Sequence, residues 1–286
     1  MRVLIVGVTG MFGHAAFQVL TGNRRLEVWG TLRAPGARRA FQDAVQQRLI
    51  DSVDVLDERA IVTVLNRVRP DVVVNAVGVI KQLASANDPA IVLPINALFP
   101  HRLAGLCGLV GARLVHISTD CVFSGRAGHY TEADISDAED LYGKSKFIGE
   151  VHDQPHVITL RTSGIGHELG SAHGLLEWFL AQGPTAQGYR RAIYSGLPWV
   201  ELARVIGDIC IPRPELRGLY HVSSAPITKF DLLQLIASAY GKEVTIVPND
   251  SVQIDRSLDS TRFTAATGYV APAWPELVAR MHDSRA

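Results

Sequence analysis

The chain has 286 residues, 47% of them hydrophobic, and its 28 basic residues balance its 28 acidic ones. This length suits one large α/β domain or a cofactor domain with a smaller lobe, and the apolar content excludes a disordered chain. The balanced charge excludes a general attraction to nucleic acid or to an anionic membrane.

The apolar run at the N-terminus, Met1–Gly7, is too short for a signal peptide or a membrane span. The three cysteines are scattered, and neither they nor the histidines show the spacing of metal ligands. Scattered cysteines without a signal peptide are typical of a reducing compartment. We therefore predict a cytoplasmic protein with no metal site and no membrane or nucleic-acid partner.

The first 160 or so residues alternate short apolar runs with helix-like segments. The runs are continuous rather than alternating, which is typical of strands buried on both faces. The predicted strands are Val3–Val6, Leu26–Gly30, Asp71–Asn75, Arg113–Ile117 and Val157–Leu160. The predicted helices between them include Phe12–Leu20, Asp57–Val68 and Asn96–Leu109. Repeated β-α-β units predict an α/β fold with a Rossmann-type, doubly wound parallel sheet.

Glycine and proline become frequent after about Gly164, where we predict a smaller α/β lobe packed over the end of the sheet. Its predicted helices are Val200–Ile211 and Lys229–Tyr240, and its extended segments are Gly218–Val222 and Val244–Val247. We assign residues 1–163 to an NAD(P)-binding domain with the catalytic residues. Residues 164–286 form the substrate lobe, with the chain free to cross between the two.

Three glycines, Gly7, Gly10 and Gly13, follow the first predicted strand and open the first predicted helix. In a dinucleotide-binding turn the first glycine permits a tight turn and the second lets the backbone approach the pyrophosphate. The third lets the helix pack close to the strand. We therefore predict that this turn, with Met11 and Phe12, binds a nicotinamide dinucleotide at the helix N-terminus.

The end of the second strand, Val28–Arg33, carries no acidic residue that would bind the ribose hydroxyls of NAD. Arg33 is suited to pair with the 2′-phosphate of NADP, with help from Arg38 or Arg39, although a solvated basic loop is the alternative. We therefore favour NADP(H) over NAD(H).

Two further segments are candidates for the cofactor site. Asp54 closes another predicted strand, where it either accepts a hydrogen bond from the adenine amino group or serves as an ordinary turn residue. Asn75, Ala76 and Val77 lie at the end of the predicted strand Asp71–Asn75, where small residues let the backbone run beside the cofactor.

Tyr142 and Lys146 are four residues apart and so share one face of a predicted helix. A lysine ammonium beside a phenol lowers the tyrosine pKa, which would favour proton transfer near neutral pH. Thr119 ends the strand before this helix, where its hydroxyl would hold a substrate oxygen. Asp120 and Cys121 follow and either line the substrate pocket or serve the turn.

These residues carry a resemblance to a known family. The chain resembles the extended short-chain dehydrogenase/reductase superfamily and, within it, the dTDP-4-dehydrorhamnose reductase group of sugar-nucleotide reductases. The resemblance rests on the glycine turn, on Ser118–Gly125 and on Tyr142–Glu150, and it extends to Arg161-Thr162 and Arg256–Ser260.

The resemblance implies NAD(P)H-dependent reduction of a 4-keto-6-deoxyhexose carried on a nucleoside diphosphate, a step of nucleotide-sugar and surface-polysaccharide biosynthesis. Thr119, Tyr142 and Lys146 would take the three catalytic places, with Lys146 also binding the nicotinamide ribose. The resemblance also allows a homodimer.

The substrate contacts are less clearly indicated. Lys81 and Gln82 replace a different stretch in the rhamnose enzymes, and they either contact the substrate or begin a surface helix. Arg256 is a candidate for the diphosphate. Trp178 has the helical spacing of a core residue, while Trp199 fits either the core or a nucleotide base.

Two alternative functions remain open. One is an epimerase or dehydratase that retains NAD. The other is a non-catalytic, NADP-binding regulatory subunit, because the regulatory subunit of methionine adenosyltransferase is similar to the same reductases.

Overall fold

A seven-stranded parallel sheet forms the centre of the computed structural model, which describes residues 1–170 and 172–285. The strands are β1 (Arg2–Val6), β2 (Glu27–Thr31), β3 (Leu49–Ile50), β4 (Val72–Asn75), β5 (Arg113–Thr119), β6 (Val157–Thr162), β7 (Gly164–Ile165), β8 (Thr185–Tyr189), β9 (Ala192–Tyr194), β10 (Leu197–Pro198), β11 (Gly218–His221), β12 (Ile227–Thr228), β13 (Thr245–Asn249) and β14 (Ile254–Asp255). The main sheet has the order β11-β6-β5-β4-β1-β2-β3. This order confirms the doubly wound Rossmann-type fold.

The helices lie on both faces of this sheet and in the C-terminal part of the chain. They are α1 (Met11–Thr21), α2 (Asp43–Gln46), α3 (Glu58–Val68), α4 (Pro89–Val92), α5 (Phe99–Val110), α6 (Leu141–Ile148), α7 (Leu175–Leu180), α8 (Trp199–Val205), α9 (Lys229–Ala239), α10 (Thr261–Thr267) and α11 (Trp274–Asp283). Short 3-10 turns occupy Pro35–Ala40, Ala84–Asn87 and Asp120–Val122, and π-helical turns occupy Leu93–Leu98 and Ile206–Cys210.

Strand β1 shows why the strands read as continuous apolar runs. Val3 and Ile5 pack into one core cluster, while Leu4 and Val6 pack into another on the opposite face. Because successive side chains point to opposite faces and both faces are covered by helices, every position from Val3 to Val6 is apolar.

Most predicted elements agree with the structure to within a few residues, but the predicted helix Asn96–Leu109 begins too late. The helical run starts at Pro89 and passes through the π-helical turn before α5. Pro94 interrupts the pattern of a regular helix, and the π turn accommodates it. By length and composition alone, the run Pro89–Val110 is long and apolar enough to cross a membrane. It packs partly into the core, since 44% of its apolar 18-residue window is buried.

One segment predicted in the substrate lobe belongs to the main sheet. Strand β11 pairs in parallel with β6 at the sheet edge, so its predicted place over the end of the sheet is wrong. A short strand reads the same in either layer, because its pairing partner is not encoded locally. The small sheets β8-β13 and β12-β9-β14 lie in the later part of the chain, and the boundary at residue 163 stays a prediction.

Candidate active site

The glycine turn between β1 and α1 is shaped by two close approaches of the backbone. Gly7 has a φ of +90°, and a Cβ there would lie 2.6 Å from Cγ2 of Val77. A Cβ at Gly13 would lie only 2.1 Å from the Gly7 carbonyl oxygen. The Gly7 amide also donates to Oγ1 of Thr31 over 3.0 Å. The protein's own packing therefore accounts for the first and third glycines.

Gly10 is different, because no protein atom would crowd a side chain there. A Cβ at this residue would meet nothing closer than 3.8 Å. Gly10 begins α1 without a side-chain cap, and the first turn of α1 contains no acidic residue. An uncapped helix N-terminus beside open space fits the pyrophosphate of a dinucleotide.

The glycine turn forms one wall of a cleft with about 1000 Å³ of empty space. The predicted site residues that line it are Gly10, Met11, Phe12, Asn75, Ala76, Val77, Lys81, Gln82, Thr119, Asp120, Cys121, Tyr142 and Lys146. The cleft lies at the carboxyl ends of β1, β4 and β5, where open parallel sheets bind ligands. The structure thus brings together cofactor, catalytic and substrate candidates from four separate segments.

Two of the three arginines considered for a 2′-phosphate, Arg33 and Arg38, differ in their surroundings. Arg33 is exposed two residues beyond β2 and forms no hydrogen bond or ion pair with any residue in the described part of the chain. Arg38 donates to Asp51 over 3.0 Å and to the Leu49 carbonyl oxygen over 2.8 Å. Arg38 therefore anchors the loop to β3, whereas the guanidinium of Arg33 is available for a phosphate.

Asp54 does not close a strand, because β3 ends at Ile50. Its carboxylate accepts a hydrogen bond from the Leu56 amide over 3.0 Å in an exposed turn. The predicted strand end is therefore wrong, and the contact with adenine stays a prediction.

The catalytic candidates on α6 are positioned by the start of that helix. Asp140 caps α6 by accepting from the Gly143 amide over 2.7 Å, and its other carboxylate oxygen accepts from Lys81 Nζ. A Cβ at Gly143 would lie 2.2 Å from the Cys121 carbonyl oxygen. The first turn of α6 is therefore held directly against the segment that follows β5.

The ionisation of Tyr142 differs from the prediction. Burial, followed by the Cys121 sulfur, raises the pKa of Tyr142 above its ordinary value, while a hydrogen bond with the Thr119 hydroxyl acts in the opposite direction. The Lys146 ammonium donates over 2.7 Å to the Ile117 carbonyl oxygen. Burial lowers the pKa of Lys146 itself to about 8. Tyr142 is therefore a phenol at neutral pH, suited to give a proton rather than to take one.

Thr119 ends β5 as predicted and is held by its neighbours. Its Oγ1 donates to Asp120 over 3.1 Å and accepts from the Cys121 amide over 3.1 Å. Burial raises the pKa of Asp120 and raises that of Cys121 to about 12. The Cys121 thiol is therefore protonated at neutral pH, which agrees with its not being a nucleophile.

Asn96 is a buried residue that the sequence analysis did not identify. Its Oδ1 accepts from the Val79 amide over 2.8 Å, and its Nδ2 donates to the Val79 carbonyl oxygen over 3.0 Å and to Ser145 Oγ over 3.2 Å. Asn96 thereby joins the segment after β4 to the catalytic helix. The sequence feature that could have identified Asn96 is its single side-chain amide within an otherwise apolar helix.

A buried ion pair supports the other end of α6. Arg161 donates to both carboxylate oxygens of Glu150 over 2.7 Å, and Ser118 Oγ donates to the same carboxylate over 2.6 Å. His221 lies 3.3 Å from Arg161, and burial lowers its pKa to about 4. This network joins β5, β6 and β11 behind the catalytic residues.

The lobe candidates fall into different positions. Trp199 lines the cleft and packs against Phe12, with ring centroids 5.6 Å apart. Trp178 is 36% exposed, so its predicted position in the core is wrong. It lines a separate groove of about 640 Å³. Gln82 lines both the cleft and this groove, which makes them neighbours. Arg256 is outside the cleft lining, and its Nε donates to the Phe123 carbonyl oxygen over 2.8 Å.

Comparison with known proteins agrees with this arrangement. The model of the RmlD substrate binding domain family matches residues 1–285. The chain is 32% identical over 149 residues to methionine adenosyltransferase 2 subunit beta of Mus musculus, a match covering 52% of this chain and 41% of that protein. It is 26% identical over 252 residues to dTDP-4-dehydrorhamnose reductase of Salmonella typhimurium, covering 80% of this chain and 84% of that enzyme.

A solved structure shares the whole fold. The dTDP-4-dehydrorhamnose reductase of Bacillus anthracis in complex with NADP has a TM-score of 0.79 and 21% identity, covering 100% of this chain and 99% of the other. The chain spans about two fifths of the length of the methionine adenosyltransferase subunit of Mus musculus. Because the family model extends over almost the entire sequence, the chain belongs to the RmlD substrate binding domain family, within the extended short-chain dehydrogenase/reductases.

Proposed function

We propose that the protein is an NAD(P)H-dependent reductase of a nucleoside-diphosphate-linked 4-keto-6-deoxyhexose. Such a reaction belongs to nucleotide-sugar and surface-polysaccharide biosynthesis. The observation that carries the proposal is the meeting of Thr119, Tyr142 and Lys146 in one cleft, opposite the uncapped N-terminus of α1.

The three residues divide the work on the carbonyl group. A bound nicotinamide dinucleotide would supply the hydride that adds to the carbonyl carbon. Thr119 orients the carbonyl oxygen, and Tyr142 gives that oxygen its phenolic proton as the C=O double bond becomes an alcohol. The raised pKa of Tyr142 keeps the proton in place until transfer, and solvent then returns a proton to the phenolate. Lys146 carries positive charge below pH 8 or so and holds the nicotinamide ribose.

NADP(H) is the favoured cofactor. The proposal is supported by the exposed guanidinium of Arg33, which could pair with a 2′-phosphate, and by the lack of an acidic residue in Val28–Arg33 that would bind the ribose hydroxyls. The related reductase of Bacillus anthracis has NADP bound, which supports the same choice.

A second candidate is a non-catalytic subunit, because several of the matched relatives are named as the beta subunit of methionine adenosyltransferase 2. The complete set of Thr119, Tyr142 and Lys146 favours the reductase. An epimerase or dehydratase with retained NAD is the third candidate. The homodimer, the cytoplasmic location and the absence of a nucleic-acid partner stay predictions.

The test is nicotinamide absorbance. The purified protein is mixed with NADPH or NADH and with 4-keto-6-deoxyhexoses carried on dTDP, UDP and GDP, with Tyr142→Phe as the control. We expect oxidation of NADPH with one of these sugars and a loss of about 100-fold or more in Tyr142→Phe. No oxidation with any sugar, by a protein that still binds NADPH, would overturn the proposal and favour the subunit.

A further inference from the structure

Lys229 lines the groove that adjoins the catalytic cleft at Gln82. It is the first residue of α9 and follows the capping residue Thr228, whose hydroxyl accepts from the Asp231 amide over 3.0 Å. Its side chain lines the groove together with Trp178 and Tyr189. Neither the sequence motifs nor the proposed catalytic residues assign it a role.

The ammonium of Lys229 has no partner of its own. It forms no hydrogen bond or ion pair with any residue that the structure describes, although the residue is half-buried. Burial lowers its pKa, and the charges of Asp120 and Cys121 act in the opposite direction. Leaving a cation partly desolvated without a partner is unfavourable, and an anionic ligand would relieve that cost.

Two other cations near the cleft, Lys81 and Arg256, already have partners. Lys81 pairs with Asp140 at the start of the catalytic helix. Arg256 uses its Nε to bind the Phe123 carbonyl oxygen. The sequence analysis assigned substrate contacts to both of these residues, yet of the three cations Lys229 has the greatest freedom to accept an anion.

The surroundings of Lys229 indicate what kind of anion fits. The rings of Trp178 and Tyr189 line the groove with Lys229 and offer flat apolar faces. Thr119 and Tyr142, which would hold a small carbonyl-bearing group, line the adjoining cleft. An anion that fits Lys229 would therefore connect a small polar group with a flat ring system. In a nucleotide sugar, the diphosphate connects the sugar with the base in this way.

We propose that Lys229 binds the diphosphate of the substrate and sets the preference for nucleotide-linked sugars over free sugars. This inference rests on the proposed function, with the sugar beside Thr119 and the base against Trp178.

The experiment compares Lys229→Met with Lys144→Met, which removes the same charge from an exposed site on α6. Titration calorimetry measures the binding of dTDP and UDP, and steady-state kinetics follow the reduction of the nucleotide sugar. We expect Lys229→Met to weaken binding of the nucleoside diphosphate and to raise KM by about 10-fold to 100-fold, with kcat changed by no more than about 3-fold. Lys144→Met should match the wild type.

Two further variants keep the test decisive. Lys229→Arg retains the positive charge and should restore binding to within a few-fold of the wild type, whereas Lys229→Gln should behave like Lys229→Met. Binding of NADPH by each variant, at wild-type affinity, shows that the fold is intact.

The outcomes separate the two proposals. If the wild type binds dTDP or UDP and Lys229→Met binds it equally well, the role of Lys229 is overturned and the proposed function stands. If the wild type binds no nucleoside diphosphate, including GDP, the proposed substrate class fails, and the role of Lys229 fails with it.

Discussion

The glycines of the cofactor turn are needed for different physical reasons. Gly13 is required by the protein, since a Cβ would overlap the Gly7 carbonyl oxygen at 2.1 Å. Gly10 has room for a methyl group, so the reason for glycine there is the approach of a ligand. Stability and cofactor binding can therefore be separated by single substitutions.

We predict that Gly10→Ala leaves the melting temperature nearly unchanged and weakens binding of NADPH by about 10-fold or more, because the added methyl group occupies the space for the pyrophosphate. Gly13→Ala should instead lower the free energy of unfolding by about 1–3 kcal/mol through steric overlap. Thermal unfolding and fluorescence titration with NADPH measure the two effects. Equal loss of stability in both variants would contradict this assignment.

The charge of Lys146 makes the reaction sensitive to pH. Burial lowers its pKa to about 8, so the ammonium is present below that pH and is lost above it. Tyr142 has a raised pKa and stays protonated across the same range. We predict that KM for NADPH rises as the pH increases beyond 8 or so. In Lys146→Arg this rise should disappear, because arginine stays charged; a profile that is flat to pH 10 in the wild type would argue against the role of Lys146.

The catalytic helix α6 is too short to be stable by itself, and its anchors come from other elements. It has eight residues, whereas isolated helices shorter than about 12–15 residues are marginal in water. Asp140 caps its first turn, Asn96 binds Ser145 in its middle, and Glu150 follows its end in a buried ion pair. The position of Tyr142 and Lys146 therefore depends on residues outside the motif that identifies them.

The cap and the ion pair at Asp140 can be distinguished. Asp140→Ala removes both, and we expect it to lower the free energy of unfolding by about 1–2 kcal/mol. Lys81→Met removes only the ion pair, and because the Lys81 side chain is 49% exposed, its loss should cost about 0.5 kcal/mol or less. Urea unfolding measures both values. An equal loss in Lys81→Met and Asp140→Ala would show that the ion pair, and not the cap, holds the helix.

Across the whole molecule, the segment between Thr119 and α6 connects the catalytic cleft with the C-terminal part of the chain. The Asp255 amide donates to the Gly125 carbonyl oxygen over 2.8 Å, and the Tyr130 amide donates to the Ser257 carbonyl oxygen over 2.9 Å. Catalytic residues and substrate-side residues are therefore parts of one packed unit.

The sequence predicts those features of the molecule that depend on local patterns. The apolar strands and the spacing of Gly7, Gly10 and Gly13 identify the parallel sheet and the cofactor turn. The spacing of Tyr142 and Lys146 likewise predicts that both lie on one helix, as they do in α6.

Features that depend on distant contacts are not predicted from the sequence. The place of β11 depends on its pairing with β6, and the partner of Lys81 depends on how the segment after β4 folds over α6. The sign of the pKa shift of Tyr142 depends first on burial, which the fold as a whole creates.

The most direct measurement follows the hydride itself. NADPH carrying deuterium at the transferred position is incubated with the protein and its 4-keto sugar nucleotide, and the product is analysed by mass spectrometry and NMR. The account predicts one deuterium at the former carbonyl carbon, released NADP⁺, and about 100-fold less labelled product with Tyr142→Phe. An isomerised or dehydrated sugar without deuterium, formed while the cofactor stays bound, would contradict it.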